Sequence, residues 1–263
     1  MDQHEKAERF RALHAGDPFV IPNPWDVGSA RVLQALGFPA LATTSSGFAF
    51  TLGRHDGGAR LDEVMAHVGA LAEATDVPLA VDLEHGHGPS AGDAARAIER
   101  SAEAGAVGGS IEDWDPVNRV LYPVQEASER VAAASAAARA LPFPFMLAGR
   151  AENHIRGNPD LDDTIARLQA YERAGADVLY APGLTTTDEI RAVCDAVGKP
   201  VNVLARPGLG RDDIFAAGAQ RISVGGALTW VATAALTGAA ARIRDQGDFS
   251  MLDRRPPDPD WLG

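Results

Sequence analysis

"SAGDAARAIERSAEAGAVGGSIED", residues 90–113, holds one complete helix-to-strand unit. Ser90 with Asp93 three residues on is a capping-box pattern that starts a helix. Gly105 stands where a left-handed residue ends one. The apolar run AVGGSIED (106–113) then reads as a strand. The same Ala-Gly-Ala turn precedes two further apolar runs, at 174–176 and 217–219. The unit is therefore repeated.

Outward from it, apolar runs recur at 19–23, 39–45, 78–84, 106–113, 145–152, 177–183, 200–205 and 221–226. Helical patterns fill 26–36, 60–75, 91–104, 125–140, 160–174, 185–196, 208–217 and about 226–245. Strands that are apolar throughout, alternating with amphipathic helices, predict a parallel sheet covered on both faces. Eight such units in 263 residues predict an α/β fold, a (β/α)8 TIM-type barrel. The rival, a doubly wound sheet, requires a Gly-rich phosphate loop after its first strand, and IPNPWDVGSA (21–30) is not one. No linker interrupts the pattern, so residues 1–263 are expected to form one barrel domain. A helix precedes it, and an irregular tail from about 247 to 263 follows, ending in RRPPDPDWLG.

The totals exclude several function classes. The net charge is −12, and the 24 basic side chains are nearly all Arg, scattered among acids. No basic cluster marks a nucleic-acid surface. No apolar run approaches the ~20 residues of a membrane span. The polar N-terminus, MDQHEKAERFRALHAGD, does not read as a signal peptide. The single Cys194 excludes an intramolecular disulfide and fits a cytoplasmic setting. It falls on the apolar face of a helix, as a core residue does.

In such a barrel, chemistry gathers at the C-terminal ends of the strands. There VDLEHGHG (81–88) places Asp82, Glu84, His85 and His87. Glu112 and Asp113 end the next strand, and Asp56 lies in the loop after the second. Two acids one residue apart repel unless a positive group sits between them. Oxygen donors without cysteine favour Mg²⁺, with Mn²⁺ as the alternative. Two rival readings stand beside this one. Arg150 alone can neutralise the strand tip, and His85 with His87 can begin a zinc site, though no third ligand is evident. Arg150 closes an apolar strand with a planar fork suited to a carboxylate, or to a salt bridge with Glu112 or Glu152. Thr44, Ser45 and Ser46 offer amides to an anion, or simply turn the chain. Gly225 and Gly226 either seat a phosphate at a helix N-terminus or allow a close strand-to-helix turn. Tyr180, Asn202 and Arg206 complete the polar strand ends.

Taken together, TLGRHDG (51–57), VDLEHGHG, GGSIED (108–113) and AGRAENH (148–154) resemble the isocitrate lyase/phosphoenolpyruvate mutase superfamily, over nearly the whole chain. The resemblance implies a (β/α)8 barrel whose last helix swaps onto a partner, giving a homodimer or homotetramer. It implies Mg²⁺ and a small 2-oxo or 2-hydroxy acid. On its motifs Asp82 matches the main metal ligand, Glu84 the second acid, Glu112 a further acid of the metal shell, and Asp56 one that reaches the metal through water. Arg150 and Glu152 match the carboxylate-binding Arg and its acidic neighbour, and Thr44, Ser45 and Ser46 the turn that holds the substrate carboxylate. Asn202 is counted with these substrate-binding residues. One segment departs from the pattern. IEDWDPVNRVLYP (111–123) lacks the Cys-containing loop of the isocitrate lyases and the mutases' loop.

The resulting expectation is a Mg²⁺-dependent lyase acting on a small 2-oxo or 2-hydroxy dicarboxylic acid. It would break a C–C bond by decarboxylation, in the manner of oxaloacetate decarboxylase, or by retro-aldol cleavage, through a metal-stabilised enolate. Arg150, Asp56 and Glu112 are the expected catalytic residues, and water, Tyr180 or a histidine the proton donor. The alternatives are a P–C bond enzyme of the phosphonopyruvate hydrolase or mutase type, and a non-catalytic 2-oxo-acid binding protein.

Overall fold

Gly105, Gly175 and Gly218 adopt φ of 103°, 99° and 105° in the computed structural model, which describes residues 1–253. Each lets the chain leave a helix and enter a strand, through a backbone region that residues with side chains rarely adopt. In chain order α1 (Gln3–Ala15) is followed by β1 (Phe19–Ile21), α2 (Val27–Ala35), β2 (Leu41–Ala42), α3 (Ser45–Thr51) and α4 (Leu61–Ala74). Next come β3 (Leu79–Asp82), α5 (Ala91–Glu103), β4 (Gly108–Glu112), β5 (Trp114–Asp115), β6 (Val120–Leu121), α6 (Val124–Ala140) and β7 (Met146–Arg150). The order closes with α7 (Leu161–Arg173), β8 (Val178–Tyr180), α8 (Thr187–Ala196), β9 (Val201–Leu204), α9 (Arg211–Ala216), β10 (Arg221–Ser223) and α10 (Ala227–Gln246).

Eight strands pair in parallel in the order β1-β10-β9-β8-β7-β4-β3-β2. The two end strands meet where Ala42 N–H donates to Pro22 O at 3.1 Å. Asn23 reinforces that seam: its side-chain amide donates to Thr43 O at 3.0 Å, and its carbonyl oxygen accepts from Val224 and Gly225 N–H, both at 2.9 Å. The expected (β/α)8 barrel is present. Between strands and helices runs the larger apolar core, with Val68, Leu79, Ile98, Leu147 and Leu179 among its buried members. A smaller core fills the barrel base, where Phe10 of α1 packs among Ile21, Val107 and Val178. Gly108 is needed there, because a Cβ would lie 2.6 Å from the Phe10 ring.

The structure departs from the sequence reading in a few places. The run 39–45 supplies only a two-residue strand, and the Thr-Ser-Ser turn opens α3. Thr44 caps that helix, its Oγ1 accepting from Gly47 N–H at 3.3 Å. The segment after β4 folds into the β5–β6 hairpin. Cys194 is half-buried against the larger core, and burial pushes its thiol up to about 11. The tail is not wholly irregular, since Ser250–Asp253 form a short 3₁₀ turn. RRPPDPDWLG lies outside the described residues. Among the described residues, no helix is long and apolar enough to cross a membrane.

At Gly175 both φ and space are restrictive, since a Cβ would collide with Ser135 Oγ. Gly175→Ala is expected to lower stability by about 1–3 kcal/mol. Urea unfolding of the variant checks this, and a change near zero would contradict it.

Candidate active site

Asp82 ends β3 and points a carboxylate at the turn capped by Thr44: Oδ2 accepts from Ser45 N–H at 3.3 Å. Its own N–H donates to Thr43 Oγ1 at 2.9 Å. Immediately after, the chain turns sharply. Glu84 and His87 take φ of 49° and 56°, which side chains rarely adopt. Arg130 of α6 holds this loop. Its guanidinium, 1% exposed, donates to the carbonyls of Gly88 at 2.7 Å and Pro89 at 3.0 Å, and to that of His85. It also stacks over the Tyr122 ring at 4.7 Å.

Arg150, closing β7, lies at the centre of the strand ends. Its Nη1 is 3.6 Å from Asp82 and 3.4 Å from Glu112, and its Nε donates to Glu152 Oε1 at 2.5 Å. Burial opposes its charge, yet Glu152, Glu112 and Asp82 together hold its pKa well above the ordinary value. Arg156, in the 3₁₀ turn Asn153–Arg156, adds a second cation 2.8 Å from Glu152 and 3.7 Å from Glu112, stacked on Trp114. Asp113 serves as a brace. It accepts from Glu152 N–H at 2.8 Å, Arg167 at 2.9 Å and the Tyr171 hydroxyl at 2.5 Å.

The carboxylates still exceed the cations. Burial, then Asp82 and Asp56, push Glu84 up to about 8. Burial, then Glu152, push Glu112 well above the usual range. Each acid resists a negative charge that Arg150 and Arg156 cancel only in part.

A cavity of about 200 Å³ opens beside these groups, lined by Thr44, Ser45, Ser46, Asp56, Asp82, Arg150, Tyr180 and Asn202. The structure therefore brings together most residues singled out in the sequence. Glu84, Glu112 and Glu152 do not line the cavity, and Glu152 is fully buried beneath Arg150. The acids expected to share a cation form no ready-made cluster of three His, Cys, Asp or Glu among the described residues. His85 and His87 have ring centroids 6.1 Å apart, and among the described residues no third His, Cys, Asp or Glu joins them in a metal-binding group. At the last strand, Gly226 allows close approach: a Cβ there would strike Ser46 Oγ. Arg130 and Arg156 have roles here that the sequence reading missed.

An all-oxygen donor set with unbalanced negative charge fits Mg²⁺, which is commonly held by one or two carboxylates and otherwise by water. Asp82 and Asp56 both lie on the cavity wall.

The phosphoenolpyruvate phosphomutase family profile matches residues 10–244, and the chain belongs to this family. It is an enzyme of the isocitrate lyase/phosphoenolpyruvate mutase superfamily. A Burkholderia cenocepacia structure provisionally described as a lyase/mutase is 50% identical, covers 97% of this chain and 94% of its own, and superposes with a TM-score of 0.93. Oxaloacetate decarboxylase of Bradyrhizobium diazoefficiens is 29% identical across 84% of this chain and 78% of its own length. Phosphonopyruvate hydrolase, solved with oxalate and Mg²⁺, is 25% identical over 98% of this chain and 92% of its own, with a TM-score of 0.84.

Removing Arg130 orphans three carbonyls beneath the Asp82 loop. Arg130→Met should cost at least about 1–3 kcal/mol, the penalty of one buried unpaired polar group. Chemical unfolding measures it, and a loss indistinguishable from zero would contradict the role.

Proposed function

We propose that the protein is a Mg²⁺-dependent lyase that breaks the C3–C4 bond of a small 2-oxo dicarboxylate, one carbon removed from the 2-oxo group, by decarboxylation or retro-aldol cleavage. The observation that carries this reading is the excess of buried carboxylate around Arg150, next to a cavity of small-molecule size. A bound Mg²⁺ would supply a Lewis acid for the negative charge that develops on the 2-oxo oxygen. Asp82 would hold the ion directly, while Glu84, Glu112 and Asp56 reach it through water. Arg150 and the amides of Ser45 and Ser46 orient the substrate carboxylate. Decarboxylation needs no protein base to begin, which suits a wall without cysteine or histidine.

Tyr180 is the protein proton donor of this reading. It lines the cavity, donor candidates His85, His87 and His154 do not, and burial raises its pKa, so its hydroxyl keeps its proton at neutral pH. A 2-oxo-acid panel with Mg²⁺, followed by pyruvate formation, tests the assignment. Asp82→Ala should lose about 100-fold or more of the turnover, as when a charge-stabilising group is removed, with its melting temperature retained. Tyr180→Phe should slow product formation without weakening oxalate binding. Unchanged Mg²⁺ affinity in Asp82→Ala would remove that residue as ligand. Phosphate release from phosphonopyruvate, with no turnover of carbon acids, would favour the P–C reading.

The same reading includes a partner chain. α10 runs for 20 residues, yet only Thr229 is buried, while Trp230, Val231 and Leu236 are 48%, 65% and 68% exposed. We expect this helix to pack on a second copy in a cytoplasmic homodimer or homotetramer. Light scattering at micromolar concentration should give twice or four times the 27.6 kDa chain mass. A monomer, or assembly unaltered by Leu236→Asp, would contradict the interface.

A further inference from the structure

Arg221 opens the strand RISVGG and faces the barrel interior, while its neighbour Ile222 packs in the outer core. It is 7% exposed. Its Nε donates to Asn202 Oδ1 at 2.8 Å, and its Nη1 lies 3.1 Å from His14 Nε2. His14 Nδ1 is 2.8 Å from Phe10 O, which fixes the proton on Nδ1 and leaves Nε2 as acceptor. Burial, then Arg221 itself, lowers the His14 pKa to about 3, so the ring is neutral. Neither partner is negative, and no carboxylate of the described residues comes within 4.0 Å of this guanidinium.

That isolation is unusual in this molecule. Arg150, Arg156 and Arg167 each contact carboxylates. Arg130 lacks one, but it bonds three carbonyls and lines a separate surface pocket together with Glu126 and Glu129. Arg221 instead lines the same cavity as Asp82, Arg150 and Ser45. It stands two residues before Ser223, roughly 7 Å deeper along the strand. Asn202 links the two, its amide donating to Ser223 Oγ at 3.0 Å. An uncompensated buried charge is costly, and burial already lowers the Arg221 pKa to about 10. An anion entering from the mouth would cancel that charge.

We propose that Arg221, Asn202 and Ser223 form an anion subsite at the inner end of the cavity, which receives the distal carboxylate of a dicarboxylate whose other end binds at the mouth. The inference rests on the mouth being the Mg²⁺ and 2-oxo-acid end, and it makes Arg221 a selectivity residue for four-carbon diacids. A purely structural Arg221, plugging the barrel base with His14, would leave ligand selectivity unaltered.

Calorimetry with Mg²⁺ and two probes separates these roles. Oxalate's two carboxylates are directly bonded and both belong to the mouth, whereas malate carries a second carboxylate two carbons away. In Arg221→Gln, malate should weaken about 10- to 100-fold, as on losing a charged hydrogen bond, and oxalate by less than about twofold. Asn202→Asp provides an independent variant. It places a carboxylate where Nε already donates, and it should produce the same selective loss of malate even if Arg221→Gln fails to fold. Malate affinity unaltered in both variants, or malate and oxalate weakened equally, would overturn the subsite. Failure of oxalate to bind the unaltered protein with Mg²⁺ would instead overturn the reading of the mouth, and the subsite with it.

Discussion

Four carboxylates at the strand ends, Asp82, Glu84, Glu112 and Glu152, share two guanidiniums, Arg150 and Arg156. Much of the upper barrel is arranged around that imbalance. Three of the acids sit within reach of Arg150 because β3, β4 and β7 are adjacent and in register, so that Glu112 pairs with Arg150 across the sheet. Asp113 fixes Glu152 from below through its N–H. Arg130 fixes the loop of Glu84 from the side. Holding like charges together in a buried place is unfavourable, and such arrangements cluster at functional sites.

The same constraint falls on the loop that carries Glu84. The loop from Glu84 to His87 carries two non-glycine residues at positive φ, which persist only where surrounding contacts over-determine them. The three carbonyl bonds of Arg130 provide that determination. On the opposite wall, Gly47 lets Thr229 of α10 approach the Thr44 turn, since a Cβ would lie 2.6 Å from Thr229 Oγ1. The start of α10 is thus packed into the wall that carries the Ser45 and Ser46 amides, although most of the helix is exposed.

The barrel was legible in the sequence because its signals are local. The Ala-Gly-Ala turns, the capping pair Ser90 and Asp93 and the apolar strands each act within a few residues. Asp82, Arg150 and the Thr44–Ser46 turn were legible because position at a strand end predicts the barrel mouth. The missed features depend on distant partners. Arg130 resembles an ordinary helical arginine until its carbonyl partners, 41 to 45 residues away, are in place. Thr-Ser-Ser-Gly fits a turn as well as a helix start, so the Thr44 cap of α3 does not separate the two from sequence alone. Arg221 did leave a signal: a charged residue opening an apolar strand, in phase with Ser223.

In the proposed reading the mouth lacks one cation, which Mg²⁺ would supply, and the ligand's oxygens bind it together with Arg150 and the Ser45 and Ser46 amides. Calorimetric titration of oxalate, with Mg²⁺ and again with EDTA, tests this most directly. Saturable oxalate binding is expected with Mg²⁺, and at least a roughly tenfold loss of affinity without it, about 1.4 kcal/mol. Equal oxalate affinity under both conditions would contradict it.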